Sequence, residues 1–363
     1  MRYLFGFICV LALGVMGCSE TSGTGGGAGQ VFPCTEQGIR DAIAEGGGPH
    51  TFDCNGPTTV VTQAPIEIDN DVILNGAGEV AVDGNGDHRV FSVDEGVTAE
   101  LQGFTVTNGV DDPNVTAAGG IRIYPNATVT LTNTTVSENT GGWAGGISNY
   151  RGTLTLSSST VSDNTGSGIV STGPLTLTDS TVSGNVSSNL ASGGGIVAYD
   201  MTLLVNSTIS GNSSGVDAGG GINTCEPLAG GCHPLTLISS TIAGNIGEPS
   251  IQTGDASMSV THSLIDGNCA GDITSNGHNI ESPGDTCGFD QTTDKLNVTA
   301  EQLNLGPLAD NGGPTMTHAL LPGSVAIDKI PEVDCEVTTD QRGEPRPDPG
   351  GSMCDVGAFE VQP

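Results

Sequence analysis

The sequence predicts an all-β chain wound into a parallel β-helix, and three observations carry that prediction. The first is a pattern written seven times between about Thr98 and Asn268: two aliphatic residues two apart, four small polar residues, a further aliphatic residue and a polar tail ending in Asn. Leu101, Leu131, Leu156, Leu177, Leu204, Leu237 and Val260 form one column, and Val106, Val136, Val161, Val182, Ile209, Ile242 and Ile265 form a second, each five residues later. The first column advances by 30, 25, 21, 27, 33 and 23 residues. Self-similarity at such a period marks a solenoid, in which a unit buries its apolar column only by stacking on its neighbours. The second observation is residue choice. Val, Ile, Thr and Ser alternate as in strands, Gly and Asn punctuate, and the repeat has no helical period, which excludes ankyrin-like and tetratricopeptide-like arrays. The third is a glycine-rich aliphatic step between copies, at Ile121, Ile147, Ile169, Ile196 and Ile222.

The polar tails end in Asn139, Asn164, Asn185, Asn212, Asn245 and Asn268, while the first copy departs with Asn108 one residue early. Stacked identical amides at a solenoid turn bond to the rungs above and below, so this column is expected to be a structural ladder. Composition agrees with a narrow solenoid: aromatics are only 4% and glycines number 57. The formal charge of −32 makes nucleic acid an improbable partner, because phosphate binding needs a basic surface. It also disfavours anionic polymers in general, unless metal ions bridge.

In chain order, residues 1–17 read as an export signal. Arg2 supplies a short positive region, and Leu4 to Met16 is an apolar run too short to span a bilayer. Val15-Met16-Gly17-Cys18 resembles the bacterial lipobox. That resemblance implies cleavage before Cys18, diacylglycerol on its sulfur and, with Ser19 following, residence in the outer membrane. Residues 18–30 hold the lipidated cysteine and a Gly/Ser tether. Residues 31–97 are the N-terminal cap and first rungs: CTEQGIRDAIAEGG places Ile39, Ala42 and Ile43 at helical spacing, a short helix that would plug the open edge. TTVVT, IEID, DVILNG, VAVDG and RVFSV follow as irregular rungs. Residues 98–268 are the regular repeat, and 269–363, dense in Pro, Gly and Asp, form an irregular C-terminal cap. There Asp340, Arg342 and Arg346 read as an Arg–carboxylate clamp.

Of the ten cysteines, Cys9 lies in the signal and Cys18 carries lipid, leaving eight in local twos: Cys34 with Cys54, Cys225 with Cys232, Cys269 with Cys287, and Cys335 with Cys354. An even remainder in an exported chain implies disulfides, and proximity suggests these pairings without fixing them. A metal role is weak, since no CxxC occurs.

Three stretches resemble known bacterial surface proteins. CTEQGIRDAI is similar to the N-terminal segment named for a CSLREA motif, and the glycine steps and Ser-x-Asn tails resemble repeats of polymorphic outer-membrane proteins and pectate-lyase-like β-helices. Gly277 to Phe289, Leu305 to Asp328 and Asp340 to Glu360 look like the choice-of-anchor Q domain. Together these imply a right-handed β-helix displayed at the cell surface, with no catalytic residue to carry over.

Candidate chemistry is sparse. Many β-helices that resemble this one are polysaccharide lyases, which need a basic residue and acids or calcium. Among nine Lys and Arg, only Arg122 and Arg151 lie in the regular repeat, with Tyr124, Tyr150 and Trp143 near and Asp111, Asp112 and Glu138 as carboxylates. A sugar would stack on an aromatic ring while an arginine holds its carboxylate; the competing reading is a solvated face with a stray arginine pair. Asp83 to Asp87 matches half a calcium loop, but His88 stands where Gly belongs, so a tight turn is expected, no metal site is assigned, and calcium remains conceivable but unplaced. No other cofactor is implied. The sequence therefore reads as a lipid-anchored surface β-helix that displays or binds glycan without catalysis. The alternatives are a polysaccharide lyase-like enzyme acting on uronate polymers and an envelope scaffold holding a protein partner. Function belongs where the repeat is broken: Asn108 to Gly120, Cys225 to Cys232, and the strands around Arg122 and Arg151.

Overall fold

The computed structural model describes residues 29–111, 118–187, 193–215, 219–224 and 233–363. Twenty-six strands form one hydrogen-bonded system whose pairings are parallel, each strand bonding to its equivalents one turn before and after. The three columns read from sequence are three sheets. In the first, Ile66, Phe91, Ile121, Ile147, Ile169, Ile196, Ile222 and Ile251 stand in register. This is the glycine-step sheet. The leucine sheet stacks Leu74, Leu101, Leu131, Leu156, Leu177, Leu204, Leu237 and Val260. The valine sheet stacks Val60, Val82, Val106, Val136, Val161, Val182, Ile209, Ile242 and Ile265. All three columns point inward and merge into one continuous buried core. Two strands, Cys269–Ser275 and Ile280–Ser282, carry the parallel ladder beyond Asn268, where the sequence rhythm fades.

From the rung of Leu131 to that of Leu237, two corners of each turn through a left-handed residue followed by an inward polar one. After the leucine strand the left-handed positions are Asn133, Ser158, Asp179, Asn206, Ser239 and His262, with φ between 46° and 52°. The next residues, Thr134, Ser159, Ser180, Ser207, Ser240 and Ser263, form a buried hydroxyl ladder: from Ser159 on, each hydroxyl accepts the backbone N–H of its counterpart one rung earlier, at 3.1–3.3 Å. After the valine strand, Glu138, Asp163, Gly184, Gly211 and Gly244 are left-handed, and Asn139, Asn164, Asn185, Asn212 and Asn245 follow. Each of these amides from Asn164 on accepts both the backbone N–H and the side-chain N–H of the preceding Asn. Left-handed geometry costs a residue with a Cβ about 1–2 kcal/mol, least for Asn and Asp; the ladders satisfy buried backbone donors that a tight corner would otherwise orphan. Asn268 is a correction to the sequence reading. It is exposed, Gly267 before it has φ 156°, and only its carbonyl serves the preceding rung, accepting from Ser250 and Ile251.

The N-terminal end is closed as expected by α1 (Glu36–Glu45), whose Thr35 cap accepts from the Gly38 N–H and whose Ile39, Ala42 and Ile43 are buried. The C-terminal region does more than cap. It runs back along the outer side of the valine sheet: Thr181 donates to the Met316 carbonyl at 2.7 Å, Thr208 to Gln341 Oε1 at 2.6 Å, Asn206 Nδ2 to the Thr339 carbonyl at 2.8 Å, and Ala358 N–H to Thr241 at 3.0 Å. A second core, with Leu264, Ile280, Leu303, Leu320, Ile330, Val356 and Phe359, lies beneath it.

The expected clamp is present. Asp340, fully buried, binds Arg342, which stacks 3.7 Å from Phe359, while Arg346 faces Glu360 at 3.1 Å. Burial raises the Glu360 carboxyl to about 7. Cys34–Cys54, Cys269–Cys287 and Cys335–Cys354 are disulfides. Cys225 and Cys232, the lipobox with Cys18, and Asp112 lie outside the described residues.

Candidate functional site

Along the glycine-step strands the residues alternate inward and outward, so positions 122 and 124 face out together. The outward column runs Glu67, Ser92, Arg122, Ser148, Val170, Val197, Asn223 and Gln252 in register. The residue that follows each strand donates its N–H to the previous rung at an equivalent place, for Asp94, Tyr124, Tyr150, Thr172 and Tyr199 alike. Tyr124, Tyr150 and Tyr199 therefore share one rung position. They are three of the four tyrosines in the chain. With rungs about 4.8 Å apart, they span roughly 15 Å of one edge.

Arg122 is half-buried among these residues. Its guanidinium lies 4.7 Å from the centre of the Tyr124 ring, and its Nε is buried with no hydrogen-bond partner. No carboxylate of the described residues pairs with it. Trp143 enters from the Thr140–Asn149 strand and packs 6.0 Å from Tyr199, over an apolar patch of Ala118, Ala144, Val170 and Val197. The face thus changes character along the solenoid: carboxylates at Glu67 and Asp94, then an arginine on a tyrosine, then Ser148 and Tyr150, then an aromatic and aliphatic platform.

Three expectations need revision. Asp111 is not available to balance Arg122, because it is held by Arg89, which also donates to the Ala118 carbonyl and to Ser92. Arg151 does not share a column with Arg122. The residue in register with Arg122 is Ser148, and Arg151 is an exposed left-handed turn residue 5.2 Å from the Tyr150 ring. Glu138 is exposed at the corner after the valine strand, outside this face. Arg89 and Tyr199 were missed. The signal for Tyr199 was present in the spacing, since it lies three residues after Ile196 as Tyr124 and Tyr150 lie three after Ile121 and Ile147.

Asp83 to Asp87 is a self-satisfied turn. Asp83 Oδ1 accepts from Asn85 N–H at 2.7 Å and from Asn108 Nδ2 at 2.8 Å. Among the described residues, no three His, Cys, Asp or Glu side chains stand close enough to hold a metal ion together.

The model of the family described as right-handed β-helix region matches residues 60–227 and 119–286. Among solved structures, a crystal structure of pectate lyase Pel9A superposes with a TM-score of 0.55 at 14% identity, covering 93% of this chain and 97% of the other. At that identity the likeness concerns the fold alone. No curated protein matches the sequence.

Proposed function

The chain belongs to the right-handed β-helix family, and on that premise we propose that it is an exported surface protein that binds a uronate-containing glycan along the glycine-step face without cleaving it. The observation that carries this reading is Arg122. A half-buried guanidinium set on a tyrosine ring and paired with no carboxylate of the described residues can turn its outer N–H groups to a planar anion, which a carboxylate supplies. Glu67 and Asp94 repel such a ligand on the N-terminal side, so the polymer runs toward Tyr150, Trp143 and Tyr199, whose rings offer stacking surfaces. The net charge of −32 opposes an anionic partner at long range. That field is screened beyond about 8 Å at physiological salt, inside which the unpaired arginine dominates.

The export and anchoring half of the proposal rests on the lipobox resemblance at Cys18, with the tether holding the solenoid off the outer membrane. Metabolic palmitate labelling tests it: label lost in Cys18→Ala supports an anchor, and an unlabelled, freely released protein sinks it. For the site, an array of acidic and neutral glycans should light up on uronate-bearing members only, with no ultraviolet-absorbing unsaturated ends appearing in solution.

The likeness in fold to pectate lyase Pel9A favours a second reading, a polysaccharide lyase on the same face with Arg122 or Arg151 as base. Unsaturated product that disappears in the alanine variants of those arginines would select it.

A further inference from the structure

We propose that the outer face of the leucine sheet is an ice-binding surface, a site separate from the glycan face. The outward residues there are Thr128, Thr130 and Thr132 on one rung, Thr153, Thr155 and Ser157 on the next, and Thr176 and Thr178 on the third. The strands pair without a register shift, so the hydroxyls form a two-dimensional grid. Its spacings are about 4.8 Å between rungs and roughly 6.6–6.8 Å along a strand. That is the scale of the repeat in hexagonal ice.

Five features point to ordered water as the occupant. Every threonine presents a methyl beside its hydroxyl, and apolar surface restricts the orientation of first-layer water while the hydroxyl donates one bond and accepts two. None of the eight hydroxyls has a partner within the protein, although the same Thr-x-Ser pattern on the valine sheet does bond: Thr181 and Thr208 hold the C-terminal region at 2.7 and 2.6 Å. No charged side chain stands on these three strands, in a chain with 41 acids, and charges would orient water around themselves. No aromatic ring stands there either, which argues against a neutral polysaccharide, since stacking is what such sugars use. The grid is preorganised, because alternate residues of the same strands, Val129, Leu131, Leu154, Leu156, Leu175 and Leu177, are locked in the core. It ends at Glu100 on one side and at Met201, Leu203 and Val205 on the other.

The test is partition of the purified protein into a slowly growing ice hemisphere, with Thr155→Asp at the centre of the grid and Thr165→Asp, an exposed residue off the face, as control. Unchanged melting temperatures establish that both variants fold. Incorporation of the wild type and of Thr165→Asp, with a loss of about tenfold or more in Thr155→Asp, is the expected result; tenfold is what about 1.4 kcal/mol of binding represents. Exclusion of the wild type from ice overturns the proposal, and so does incorporation that Thr155→Asp leaves intact. A wild-type dimer that Thr155→Asp dissociates, with no uptake into ice, would instead make the face a contact between copies. None of these outcomes bears on Arg122, so the glycan proposal stands or falls separately.

Discussion

Asn185→Ala probes what holds the rungs together. The Asn185 side chain is fully buried and makes five hydrogen bonds: Oδ1 accepts from Asn164 N–H at 3.1 Å and Asn164 Nδ2 at 2.8 Å, and Nδ2 donates to Val161 and Ser183 carbonyls and to Asn212 Oδ1. A typical intramolecular hydrogen bond contributes only about 0.5–1.5 kcal/mol net, and several of these acceptors keep other partners. The decisive loss is the Asn164 backbone N–H, left buried without an acceptor, at about 1–3 kcal/mol. With the small cavity added, the whole comes to about 3–5 kcal/mol, a large share of the roughly 5–15 kcal/mol that holds a folded domain. Asn268→Ala, in the same sequence motif but exposed, should stay within about 0.5 kcal/mol. Urea unfolding followed by two independent probes measures both, because a stacked array need not unfold in one step. The reasoning fails if Asn185→Ala costs under about 1 kcal/mol, or if Asn268→Ala costs as much.

Other outcomes are equally definite. Val161→Asp places an unpaired carboxylate in the fully buried valine column and should cost about 3–5 kcal/mol in the same unfolding measurement; unchanged stability would mean the column faces outward. Burial first, then His278 and Arg346, lowers His262 to about 4, so the unfolded chain binds the extra proton between about pH 6.5 and 4 and stability falls as pH drops through that window. His262→Asn, which tolerates the left-handed backbone, should flatten that acid limb of a melting-temperature profile, whereas an unaltered limb contradicts the assignment. Glu360, raised to about 7, acts in the opposite sense: its stabilisation is full below about pH 4.5 and is lost as pH rises through 7, a decline that Glu360→Gln should remove. Intact-mass measurement after alkylation of the denatured, unreduced protein should find no free thiol among the eight cysteines beyond Cys18, Cys225 and Cys232 included.

The core was legible because it repeats. Leucine, valine and glycine-step columns must each present one apolar residue per rung, and a period survives inserts of any length between strands. The hydroxyl ladder was not legible: Thr134, Ser159 and Ser180 look like any small polar residues of a turn, and only the left-handed residue before each one shows that they turn inward. The path of the C-terminal region was also hidden, since nothing local in the stretch around Met316 or Gln341 says that its partners are threonines more than a hundred residues earlier. Of the candidate site, Arg122, Tyr124, Tyr150 and Trp143 were legible because they are bases and rings that interrupt the repeat. The capture of Asp111 by Arg89 is a contact between side chains 22 residues apart, which spacing does not encode.

The most direct test of the central claim is a calorimetric titration with oligogalacturonate in its free-acid and fully methyl-esterified forms, against the wild type and Arg122→Gln. The arginine fork should make the wild type prefer the free acid, and Arg122→Gln should weaken that binding by about tenfold or more, the loss of one charge-assisted contact worth at least about 1.5 kcal/mol. Equal affinity for both forms, or a variant that binds the acid as well as the wild type does, would contradict it.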